Sequence, residues 1–162
     1  MSIFPENVNF LSTKRFINGG SSSGNLANFN LARHVNDSEI NVSANRFLLK
    51  NYYALPAEPV WLNQTHSSIC VNAYDLNSLV KADASFTAVS GIVCGVLTAD
   101  CLPVFMSKKD GSMVGVAHAG WRGLISGVVE NLIESFDSNG DDLVVHLGPA
   151  ISSNFFEVGE EI

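Results

Sequence analysis

The sequence predicts an α/β (α+β) protein, strands with helices laid on them, and three observations carry that prediction. Between residues 84 and 119, "ADASFT", "GIVCGVLTAD" and "LPVFMSKKDGSMVGVAHAG" are β-rich apolar runs, and "KKDG" marks a hairpin turn within them. Farther on, "WRGLISGVVENLIESF" places Leu124, Val128, Leu132 and Phe136 in one stripe with Ile125, Val129 and Ile133 beside it, the spacing of a helix that packs on a sheet. Hydrophobic residues make up 46% of the chain and charged residues 15%, a composition that folds. The 162 residues suit a single domain, 1–162.

Taken in order, the mixed segment from Val8 to Phe16 predicts an opening strand. "INGGSSSGNLANFNLA" then has the Gly, Ser and Asn density of a long loop. It reads either as a flexible linker or as a backbone cradle that a ligand can approach closely. Asp37 or Ser38 caps a helix that carries Ile40, Val42, Phe47 and Leu48 and ends before Pro56. Val60, Leu62, Ile69 and Val71 alternate as a strand does, interrupted at "QTH", so His66 falls on an irregularity. Cys101 and His118 fall at strand ends. After the long helix, "DSNGDD" is a turn and "LVVHL" a buried strand.

Nine basic residues against sixteen acidic ones give a formal charge of -7, which disfavours nucleic acid and anionic membrane as partners. No apolar run approaches the roughly 20 residues of a spanning helix. "MSIFPENVNF" lacks the basic start and apolar centre of a secretory signal, so a cytoplasmic location is the expectation. Cys70, Cys94 and Cys101 are too few and too uneven for a disulfide framework, which leaves free thiols, a metal ligand or plain packing.

His66, Cys101 and His118 are the residue types of a three-ligand zinc site with one open position. Their wide spacing is unlike that of zinc fingers and by itself says little. Their places at strand ends strengthen the reading, because rigid sheet would hold the ligands while facing them toward the loops. Asp100, next to Cys101, reads as a group that orients a ligand histidine or moves protons, or equally as a cap for nearby backbone N–H groups. In "HAGWRGL", Gly120 and Arg122 stand at the entry to the predicted helix, where free N–H groups and the helix dipole attract an anion. The ordinary alternative is a solvent-facing arginine, with Trp121 as packing. His146 reads as a hydrogen-bonded core residue, and His34 has no evident partner.

"GGSSSG", "NFNLA", "NR" at 45–46, "WLNQTHS", "ADASFT", "TADCLPV", "HAGWRGL" and "LGPAI" with "FEVGEE", in that order along nearly the whole chain, resemble the laccase-domain family, the polyphenol oxidoreductases of YfiH/YlmD type. The resemblance implies mixed β-sheets packed together with flanking helices, similar to the cytotoxic-necrotising-factor deamidases. It implies zinc-dependent phosphorolysis of adenosine, inosine, guanosine and methylthioadenosine, together with adenosine deamination, so that purine nucleoside and phosphate are the expected partners. His66, Cys101 and His118 would be the metal ligands, with zinc expected and copper the alternative. Asp100, Cys101 and His118 would be the catalytic groups, and Arg46, Arg122 and Gly120 the substrate contacts. Members of the family continue past "EVGEE", so a chain shortened at its C-terminus is expected, with an uncovered sheet edge that invites pairing. Two competing readings are a metal-independent cysteine hydrolase using Cys101 and His118, and an inactive binding domain. Copper-linked phenol oxidation ranks last.

Overall fold

The computed structural model describes residues 3–157 and 159. Five strands form one mixed sheet: β1 (Cys70–Asn72), β2 (Ala84–Thr87), β3 (Leu102–Lys108), β4 (Val114–Ala119) and β5 (Leu143–Leu147). They lie in the order β1-β2-β4-β3-β5, with β1 parallel to β2 and every other pairing antiparallel. The hairpin predicted at "KKDG" joins β3 to β4, and Gly111 supplies its left-handed residue at φ 71°.

Helix α1 (Glu39–Tyr52) follows the predicted cap at Ser38. Its buried positions are Val42, Asn45 and Leu49, whereas Ile40 and Phe47, expected on the apolar face, are exposed. Leu49 joins Phe29 and Leu31 in a small core against Trp61 and Leu97. The long helix expected from Trp121 onward is instead two, α2 (Trp121–Ile125) and α3 (Val128–Ser135). Gly127, at φ 89°, lies between them in a conformation that no right-handed helix continues through. The break turns Leu124 and Ile125 to solvent and leaves Val128, Leu132 and Phe136 fully buried against Val104, Met106, Ala117 and Ala119. Gly115 lets α3 approach β4, because a Cβ there would lie 2.8 Å from a Leu132 methyl.

Two other expectations fail for want of a partner strand. Residues 8–16 form no strand, and Phe10 instead packs its ring on Phe105 and His146. The run 91–100 makes one isolated bridge, Cys94 to Val60, so β3 begins after Cys101 rather than before it. Strand β5 is an edge strand with Val145 and Leu147 exposed, not a buried one, and His146 is held among the Phe4, Phe10 and Phe105 rings.

Register places the starts of β1, β2 and β3 and the ends of β4 and β5 at one end of the sheet, since Cys70 pairs with Ala84, Ala84 with Ala117, Leu102 with Ala119, and Val104 with Leu147. The loop before β1, Asp83, Cys101 and His118 all meet at that end.

Candidate metal centre

Cys101 immediately precedes β3, His118 is the penultimate residue of β4, and His66 lies in the irregular loop ahead of β1. Their ligand atoms all lie within 4.8 Å of one another, with Cys101 Sγ 3.9 Å from His66 Nε2. Bonds of about 2.0–2.3 Å to a tetrahedral ion set its ligands roughly 3.3–3.6 Å apart, so the trio needs only a slight contraction to share one ion. His118 is buried, Cys101 half-buried and His66 exposed, which leaves the cluster open on the His66 side.

Space for this convergence comes from Gly120. A Cβ there would stand 2.7 Å from His66 Cδ2 and 3.0 Å from Cys101 Sγ, closer than side chains pack. Gly120 therefore forms the wall against which two of the three ligands rest.

Asp83, which sequence reasoning did not single out, lies beneath the trio and is fully buried. Its carboxylate accepts from the backbone N–H groups of Thr65, His66 and Ser67 at 3.1, 3.0 and 2.6 Å and from the Ser67 hydroxyl at 2.7 Å. It also lies 2.9 Å from His118 Nδ1. Burial pushes this carboxyl up, but the hydrogen bonds from His118, Ser67 and Thr65 outweigh it and hold it below its ordinary value. The signal for Asp83 was in the sequence: an acid between Ala82 and Ala84 in a strand that reads as buried must have partners.

Burial, then the charges of Asp100 and Asp83, push the Cys101 thiol up. The same surroundings favour a cation, whose charge would release that proton. The donor set and the glycine wall thus fit a metal ion held by His66, Cys101 and His118.

The remaining sequence candidates divide. Asp100 is exposed beside Cys101, and its carbonyl accepts from Ile151 N–H at 2.9 Å, so the chain after β5 is stapled next to the trio. The carboxylate at hydrogen-bond distance from a histidine of the trio is that of Asp83. Arg122 is exposed and stacks on Trp121 at 4.0 Å. The helix at whose entry an anion site is expected, α2, has five residues and correspondingly little dipole, so the charge available there is that of the Arg122 side chain. Arg46 stacks on Trp61 at 4.2 Å and donates to the Leu31 carbonyl. It lines a cleft of about 380 Å³ with Arg33, Trp61, Leu76 and Leu79, a lining that includes none of the three ligands.

Fold and site together define an α+β protein with a His/Cys/His cluster that could hold a metal ion at one end of its sheet. The chain belongs to the multi-copper polyphenol oxidoreductase laccase family, whose profile matches residues 9–162. It is 39% identical over 158 residues to a purine nucleoside phosphorylase of Haemophilus influenzae, covering 98% of this chain and 64% of that protein. It is 43% identical over 144 residues to a purine nucleoside phosphorylase of Pseudomonas aeruginosa, covering 89% and 58%. A solved Neisseria meningitidis protein superposes with a TM-score of 0.84 at 42% identity, covering 89% of this chain and 59% of the other. YlmD from Geobacillus stearothermophilus superposes at 0.78 with 28% identity, covering 88% and 58%. This chain spans 58–64% of the length of those two curated relatives.

Proposed function

We propose that this chain carries the zinc centre of a purine nucleoside phosphorylase, acting on adenosine, inosine, guanosine or methylthioadenosine with phosphate, and that the same centre deaminates adenosine. The observation that carries the reading is the convergence of His66, Cys101 and His118, in a chain whose relatives bear the phosphorylase name. When bound, the ion supplies positive charge for atoms that become negative in the transition state. In phosphorolysis a phosphate oxygen bonds to the ribose C1′ as the bond from C1′ to the purine nitrogen breaks, and the departing base takes up a proton. On this reading Asp100, exposed beside Cys101, handles that proton. Arg122 and the backbone at Gly120 offer contacts to the anionic reactant, while Arg46 would serve only a substrate long enough to reach its cleft.

A cytoplasmic site of action goes with this reading, and among the described residues no helix is long and apolar enough to cross a membrane. Copper is the runner-up for the same donors. The cysteine-hydrolase reading is weaker on physical grounds. A nucleophilic thiol needs a lowered pKa, whereas that of Cys101 is raised, and the ring at 3.9 Å from its sulfur belongs to His66 rather than His118. Zinc-loaded protein is expected to release hypoxanthine from inosine only when phosphate is present, and Cys101→Ala or a chelator is expected to abolish the release. Absence of phosphate-dependent release from the folded, zinc-loaded chain would overturn the proposal; amidase activity that survives chelation and dies on alkylation would favour the hydrolase.

A further inference from the structure

Three candidate ligands drawn from a loop, the entry of one strand and the end of another need something that fixes their aim. We propose that Asp83 is the positioning residue of the centre, one buried carboxylate that sets the tautomer of His118 and the backbone pose of His66 at once. This inference rests on the reading of the trio as a metal centre.

The two carboxylate oxygens divide the work. Oδ1 accepts His66 N–H and faces His118 Nδ1, so a single atom links both histidine ligands. Oδ2 accepts the N–H groups of Thr65 and Ser67 and the Ser67 hydroxyl. A carboxylate whose oxygens already accept three N–H groups and a hydroxyl meets Nδ1 as an acceptor, so the imidazole proton of His118 belongs on Nδ1 and its Nε2 is left without one. A second tie runs through the main chain, where His118 N–H donates to the Asp83 carbonyl at 2.7 Å.

The His66 backbone shows the other half of the device. At φ 59° it occupies the left-handed region, which non-glycine residues adopt at a cost. That kink turns three successive N–H groups, those of residues 65–67, onto one carboxylate, the concave arrangement that main chains use to hold anions. Here the anion belongs to the protein itself. The same kink leaves the His66 ring outside, 3.9 Å from Cys101 Sγ and 4.8 Å from the His118 ring centre. Asp83 is wholly shielded from solvent, so water does not compete for these bonds.

A merely structural carboxylate would affect stability and leave the imidazole tautomer alone, and nitrogen-15 NMR of the histidine rings separates the two roles. In chelator-stripped wild type, His118 is expected to carry its proton on Nδ1. In Asp83→Asn the amide oxygen is needed by the three donors of Thr65 and Ser67, which turns the NH₂ to His118, where Nδ1 must then accept and the proton sits on Nε2; zinc affinity measured by competition with a chromogenic chelator falls about ten- to a hundredfold. An Nε2–H tautomer in the wild type would overturn the inference, and so would Asp83→Asn binding zinc as tightly as wild type. Should Asp83→Asn not fold, the wild-type tautomer alone decides. Failure of the wild type to bind zinc sinks the metal reading instead, and the tautomer still reports on Asp83.

Discussion

Two fully buried polar side chains each pin a loop, and they do so in different chemical currencies. Asn45 on α1 accepts from Ser21 N–H at 2.8 Å and donates its amide to the Ser22 hydroxyl and the carbonyls of Asn28 and Asn30, closing the Gly/Ser-rich loop over the helix. Asp83 accepts from every partner and donates to none through its side chain. A neutral amide that gives and takes suffices where a loop has only to be held. A buried charge is costly to desolvate, and it recurs here beneath the one three-ligand cluster found among the described residues. On the proposed reading, charge stands where a cation is bound, and neutrality stands where shape alone is required.

Replacing each clamp by alanine breaks the comparison most directly. Asp83→Ala leaves three backbone N–H groups, a hydroxyl and an imidazole facing a void, and chemical denaturation is expected to show a loss of about 3–5 kcal/mol together with loss of zinc binding. Asn45→Ala is expected to cost less, about 2–3 kcal/mol, and to leave zinc affinity within about twofold of wild type. Equal effects of both variants on zinc would erase the distinction. Gly120→Ala is the next sharpest test. Its methyl enters the space beside His66 and Cys101, so zinc affinity is expected to drop at least about tenfold with little change in melting temperature.

The smallest effect concerns pH at the Asn45 loop. Hydrogen bonds from the Ser22 hydroxyl and the Asn30 amide hold the Asp37 carboxyl below its ordinary value. A carboxyl lowered by folding stabilises the fold fully above its unfolded value of about 3.9, and that contribution is lost as pH falls through the lower folded value. Amide exchange in residues 21–30 should therefore quicken, relative to α3, only below about pH 4, and Asp37→Asn should remove that dependence.

Much of this arrangement is legible in the sequence, and the omissions have physical causes. Cys101 and His118 stand out by residue type and strand-end position and His66 by residue type at an irregularity, and α1, the β3–β4 hairpin and β2 follow from local pattern. The split of the second helix was written at "SGVV", where Gly127 interrupts an otherwise continuous apolar stripe. The strand expected at residues 8–16 depends on a neighbour to pair with, and pairing is a property of the whole fold that period-two patterning cannot supply. Asp83 escaped notice because its partners lie up to 35 residues away and are mostly backbone groups, which have no sequence signature.

Zinc titration of the purified, metal-stripped chain, followed by X-ray absorption at the zinc edge, tests the convergence of His66, Cys101 and His118 most directly. The expected result is one zinc per chain with two nitrogen ligands and one sulfur ligand at about 2.0–2.3 Å and a remaining light-atom position. A zinc shell without sulfur, or unchanged binding in Cys101→Ser, would contradict it.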